Sequence, residues 1–159
     1  MAKDSGKNGY ARFEDLGEVT QEVNLRRPDG RELKLKLRTL REQEMRTIRR
    51  QIAYPAEPME PQRDPADGKV KILPVKFGAL RDRYSQDLEE AQMEYNYRLL
   101  LASVVDLDVP GETEADKVTS LRGKLGFWAL RQLVDIMLGI NGIRPEEVEQ
   151  LAANFPVAT

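Results

Sequence analysis

Five acidic side chains crowd one short stretch: Asp106, Asp108, Glu112, Glu114 and Asp116. Carboxylates in that number suit a hard cation or a general acid–base pair. The glycine position and ligand spacing of a calcium loop are missing, however, and acids between two helices ordinarily cap the second one. No metal site is therefore expected there. The chain contains no cysteine and no histidine. That excludes disulfides, zinc fingers, thiol nucleophiles and Ser–His–Asp arrangements, and leaves any catalysis to carboxylates, Lys, Tyr or backbone groups. No phosphate-cradling Gly-x-x-x-x-Gly-Lys motif is present, and Gly139-Ile140-Asn141-Gly142 reads as the end of a helix. Trp128, Tyr84, Tyr95 and Tyr97 could stack on a ligand, but aromatics at helical spacing mostly fill cores. Met45, Met93 and Met137 suit either an adaptable surface or gap-filling. The chain is read as non-enzymatic, with no cofactor.

Charge gives a second lead. Between Arg26 and Arg50 stand ten Lys and Arg against four acids, a local charge of +6 in a chain of net charge −2, so the remainder carries −8. A basic stripe raises the question of nucleic acid. The window holds no Phe, Trp or Tyr, so it offers no platform on which bases could stack. A solvated face is the plain reading, and docking onto an acidic protein is the other.

The elements that position these residues can be read from periodicity in a chain of 159 residues, long enough to bury a core. Residues 1–18, with Gly6, Gly9 and Gly17, read as weakly ordered. Val19, Val23 and Leu25 sit at alternate positions, as do Leu33, Leu35 and Leu37. Setting Leu25 opposite Leu33 and Val23 opposite Leu35 brings Arg27 opposite Arg31. The loop is then Pro28-Asp29-Gly30, a three-residue turn for which Pro followed by Gly is suited. Thr39 with Glu42 reads as a capping box, and Met45, Ile48 and Ile52 share one helix face.

Residues 54–74 read as a Pro-rich linker or long loop, with four of nine prolines between Pro55 and Pro65. Beyond Pro74 comes the longest period. Phe77, Leu80, Tyr84, Leu88, Ala91, Tyr95, Leu99 and Ala102 predict a helix of roughly thirty residues, about 45 Å long. Its end, Leu99 to Val105, is apolar nearly all round and is expected in the core. Thr113 with Asp116 reads as a helix start, Phe127 to Leu138 as a strongly apolar helix, and Pro145 to Phe155 as a last short one. No stretch reaches the ~20 apolar residues that span a bilayer. The expectation is an α+β chain, mostly helical: an N-terminal β-hairpin with its helix (residues 19–53), the linker, and a helical body with one long helix (residues 75–159).

Three segments together resemble one family. Arg27-Pro28-Asp29-Gly30-Arg31-Glu32-Leu33 ahead of a helix is similar to the opening of tail assembly chaperones of long-tailed, siphovirus-like bacteriophages. Arg98-Leu99-Leu100-Leu101-Ala102-Ser103-Val104-Val105 running into Asp106-Leu107-Asp108-Val109-Pro110-Gly111-Glu112 resembles the same family. So does Leu133 to Leu138 followed by Ile143-Arg144-Pro145-Glu146-Glu147-Val148-Glu149. The resemblance covers about two thirds of the chain. It implies a non-enzymatic protein that binds the helical tape measure protein and keeps it soluble while tail tube subunits assemble. Such a protein acts in the host cytoplasm and is absent from the mature virion; a homo-oligomer is left open. The proline-rich segment departs from the pattern.

On this reading the client surface comprises Phe77, Leu80, Tyr84, Leu88 and Tyr95 of the long helix, extended by Phe127, Trp128 and Met137. An apolar helix face of this kind accepts a partner's amphipathic helix. Two rivals come from other classes. One is a head–tail connector or tail completion subunit that stays in the virion. The other is a small nucleic-acid-binding module using the 26–50 stripe.

Overall fold

The computed structural model describes residues 13–142. After a short 3₁₀ turn at Phe13–Leu16, strands β1 (Thr20–Arg26) and β2 (Glu32–Arg38) form an antiparallel hairpin. Leu25 pairs with Leu33 and Val23 with Leu35, the register expected from leucine spacing. Arg27 N–H donates to the Arg31 carbonyl at 2.8 Å, closing the Pro28-Asp29-Gly30 loop, and Gly30 takes the left-handed φ of 85° that this turn demands. One hairpin face puts Val23, Leu25 and Leu37 into the core. The other presents Glu22, Asn24, Lys34 and Lys36 to solvent.

Helix α1 (Glu42–Arg50) begins later than a Thr39 cap would place it. Thr39 still belongs to the hairpin: its N–H donates to the Val19 carbonyl and its hydroxyl accepts from Val19 N–H. Arg41 occupies the cap position instead, and the Glu44 carboxylate reaches back to its N–H at 2.8 Å. The next finding corrects the linker expected at residues 54–74. Strands β3 (Met59–Arg63) and β4 (Val70–Pro74) form a second antiparallel hairpin. Asp64 N–H donates to Lys69 O and Val75 N–H to Pro58 O, so the hydrogen-bonded pairs fall at Gln62–Lys71 and Glu60–Leu73. Pro61 and Pro74 therefore stand where an N–H would point away from the ladder, and they cost it nothing.

Helix α2 (Ala79–Ser103) has 25 residues and spans roughly 37 Å, shorter than expected because Gly78, with φ of 97°, sets the start after Phe77. Its last turn is sorted by packing. Leu99, Leu100 and Ser103 are buried, while Leu101 and Ala102 are only partly covered. The chain then extends, and Val104 bridges to Leu37 on the outer side of β2.

Helix α3 (Glu114–Lys124) opens on the Thr113–Asp116 capping box, with 3.1 Å bonds in both directions. Helix α4 (Phe127–Ile140) follows from Gly126, where a side chain would collide with the Trp128 ring at 2.7 Å. Asn141 ends α4 and also ties it to the hairpin, its carboxamide oxygen accepting from Leu40 N–H at 2.9 Å. The helix expected at Pro145 to Phe155 and the weakly ordered start at residues 1–12 lie outside the described residues.

One core joins these parts. Val23, Leu25 and Leu37 of the first hairpin meet Leu99 and Leu100 of α2, Val118 and Leu121 of α3, and Leu130, Leu133 and Met137 of α4. Burying each such side chain contributes about 1.5–3 kcal/mol. The architecture is α+β, a hairpin on a helical body, with the second hairpin standing between α1 and α2 in the chain.

Candidate docking surface

The second hairpin is attached to the body at its root. Val75 is buried, its N–H bonds to Pro58, and Glu57 beside it pairs with Arg81 of α2 at 2.6 Å. Arg81 in turn lies over the Tyr84 ring, 5.1 Å from its centre. Beyond the root the register places Met59, Pro61, Val70 and Ile72 on one face. That face is open: Val70 is 65% and Ile72 61% exposed. Sequence reasoning missed these residues because proline density masked the alternation of Val70, Ile72 and Pro74, the one signal available.

Three residues beyond Pro74, the chain presents two more apolar side chains to solvent, Phe77 at 88% and Leu80 at 65% exposure. These two belong to the surface expected from the sequence. Phe127, the first residue of α4, is also open at 76%. Leu88, Tyr95 and Trp128 are half-buried. Tyr84 and Met137 are placed differently from a docking surface. Tyr84 is closed in beneath Arg81, and Met137, at 1% exposure, sits in the core beside Leu133 because α4 turns that side towards the first hairpin and α2. The eight expected residues thus divide into three exposed, three partly covered and two buried.

Two of the five acids of the acidic segment have structural partners. Asp116 caps α3, and the Thr113 hydroxyl and N–H hold its carboxyl below the usual carboxylate range. Glu114 lies 3.7 Å from Arg98. Among the described residues no three acids come close enough together to hold a metal ion. Leu107, Asp108, Glu112, Thr113 and Lys117 border an open depression of about 370 Å³.

The basic stripe is partly neutralised. Arg38 is gripped by Glu18 and Glu44, Arg46 by Glu42, and Arg27 and Arg31 lie near Asp29. The hydrogen bond to Arg38 and that from Arg41 N–H hold the Glu44 carboxyl low, and Glu44 raises Arg38 in turn. Burial pushes the Tyr54 and Tyr95 phenols up, so both stay neutral. Among the described residues no buried side-chain polar atom lacks a hydrogen-bond partner. What the arrangement offers chemically is exposed apolar surface and charge. No known protein family, curated protein or solved structure matches the chain.

Proposed function

We propose that this protein is a non-enzymatic phage tail assembly chaperone that binds the helical tape measure protein, and keeps it soluble in the host cytoplasm until tail tube subunits enclose it. The observation that carries the reading is the pair of exposed apolar side chains Phe77 and Leu80 at the start of α2, just after the open Met59–Pro61–Val70–Ile72 face of the second hairpin in the chain. Apolar side chains held this far into water, on elements ordered by other contacts, suit a partner that brings its own apolar face. A helix with apolar residues three and four apart is such a partner. Phe127 at the start of α4 is exposed as well, and Leu88, Tyr95 and Trp128 are half-buried.

Co-expression with a tape measure fragment, scored by the soluble fraction, tests this. The wild-type chain is expected to keep the fragment soluble, and the pair Phe77→Asp, Leu80→Asp to lose that activity with unchanged circular dichroism. A fragment that precipitates equally with and without the wild-type chain overturns the proposal.

A further inference from the structure

We propose that Asn141 is a site of spontaneous covalent modification that the fold holds shut, and that its conversion to aspartate or isoaspartate unfastens the end of α4 from the segment joining β2 to α1. Two of the chain's asparagines precede glycine, Asn8 and Asn141. Asn8 lies outside the described residues. A following glycine leaves the backbone nitrogen unhindered and its peptide free to turn. The Gly142 nitrogen can then attack the carboxamide carbon of Asn141. A C–N bond forms, the carboxamide nitrogen leaves as ammonia with the Gly142 amide proton, and a five-membered succinimide closes. Water opens that ring at either carbonyl, giving aspartate or isoaspartate. No enzyme, oxidant or reductant is required.

In the folded chain each participant is engaged. The Asn141 carboxamide oxygen accepts from Leu40 N–H at 2.9 Å, and its nitrogen donates to the Met137 carbonyl at 2.8 Å. Gly142 N–H, the nucleophile, donates to the Gly139 carbonyl at 3.0 Å. Asn141 itself, at φ −88° and ψ 6°, eclipses the Gly142 nitrogen with its own backbone nitrogen, a third of a turn round the Cα–C bond from Cβ. Cyclisation therefore needs three hydrogen bonds to break and the peptide to rotate. Gly142 is exposed at the end of a helix, where local opening costs far less than unfolding the core. The reaction thus runs through fraying of the last turn of α4. Asn24 in β1 and Asn96 in α2 precede Leu25 and Tyr97, whose side chains crowd the attacking nitrogen.

The product does not restore the joint. An aspartate carboxylate still accepts from Leu40 N–H, but it has no hydrogen to give the Met137 carbonyl. It also sets a negative charge at the negative end of the α4 dipole. Isoaspartate adds a methylene to the backbone, which shifts the carboxylate away from both partners. Leu40 and Met137, the two residues bridged by the carboxamide, are both buried, so the joint closes over the core. Its loss frees the last turn of α4 at that point.

Incubation of the full chain at mildly alkaline pH, folded in buffer or unfolded in guanidinium chloride, tests the proposal when followed by peptide mapping with mass spectrometry. In guanidinium, Asn141 and Asn8 should convert at rates within about fivefold of each other, ahead of Asn24 and Asn96. In buffer, Asn141 should convert at least about tenfold more slowly than in guanidinium. Guanidinium below the unfolding transition should change that slow rate little, because fraying of one turn exposes little surface. Asn141→Asp, the product itself, should lower the melting temperature by about 3 °C. Equal rates for Asn141 in buffer and in guanidinium, or a rate in buffer that follows global unfolding, would overturn the gate. Absence of conversion in guanidinium would overturn the site, and an Asn141→Asp chain that melts with the wild type would overturn the unfastening.

Discussion

Removing the Arg38 side chain should loosen the junction of β2, α1 and α2 together. Its Nε donates to the Ala102 carbonyl at 3.0 Å, satisfying an acceptor left over at the end of α2. Its Nη2 reaches Glu44 Oε1 at 2.8 Å, and Nη1 reaches Glu44 Oε2 at 3.2 Å and Glu18 at 3.3 Å. Glu44 Oε2 meanwhile accepts from the N–H of Arg41, the residue that caps α1. The arginine is 23% and Glu44 35% exposed, so solvent screens part of the attraction. The bond to Ala102 contributes about 1 kcal/mol and the two-pronged carboxylate pair about 1 kcal/mol more. Arg38→Ala is therefore expected to cost about 2 kcal/mol, which lowers the urea midpoint by roughly 1 M at a typical slope. Glu44→Gln, which retains a helix cap, should cost less than 1 kcal/mol, and a double-mutant cycle should return a coupling near 1 kcal/mol. Urea titrations followed by circular dichroism and by Trp128 fluorescence measure these quantities. Coupling below ~0.3 kcal/mol would refute the assignment of this pair as the clamp, reducing it to a solvated contact.

Two further outcomes follow from the structure. Glu44 and Asp116 are held below their ordinary values of 4.5 and 3.8, so the unfolded chain takes up protons first as pH falls. Their contribution is complete above those values and is lost progressively below them, so the melting temperature should decline below about pH 5 and stay flat from about pH 6 to 9, where the chain has no histidine or cysteine to titrate. Leu100→Ala should cost about 3 kcal/mol or more, because that side chain is 1% exposed, whereas partly covered Leu101→Ala should cost about half as much; equal costs in denaturant titrations would contradict the packing of the last α2 turn.

The first hairpin was legible to the residue because two independent constraints agreed, leucine alternation on both strands and a Pro-Asp-Gly turn of fixed length. The Thr113–Asp116 cap was legible for the same reason, its partners being local. The second hairpin was hidden because proline tells against strand in general, and only the pairing register reveals that Pro61 and Pro74 occupy outward positions. The start of α1 was misplaced because Thr39 serves a ladder twenty residues away in sequence. Among the candidate surface residues, periodicity identified a stripe but not which part of it neighbours would cover. Phe77 and Leu80 are left open to solvent, whereas Met137 is closed in by elements distant in the chain. A helical stripe specifies a face, and only tertiary packing decides its exposure.

Site-specific photocrosslinking addresses the client surface most directly. Benzoylphenylalanine is placed at Ile72 or Phe77, or as a control at Glu22 on the solvent face of the first hairpin, in cells that co-express a tape measure fragment. Adducts with the fragment from Ile72 and Phe77, and none from Glu22, are the outcome this account predicts. A fragment kept soluble but crosslinked only from Glu22, or from none of the three positions, would contradict it.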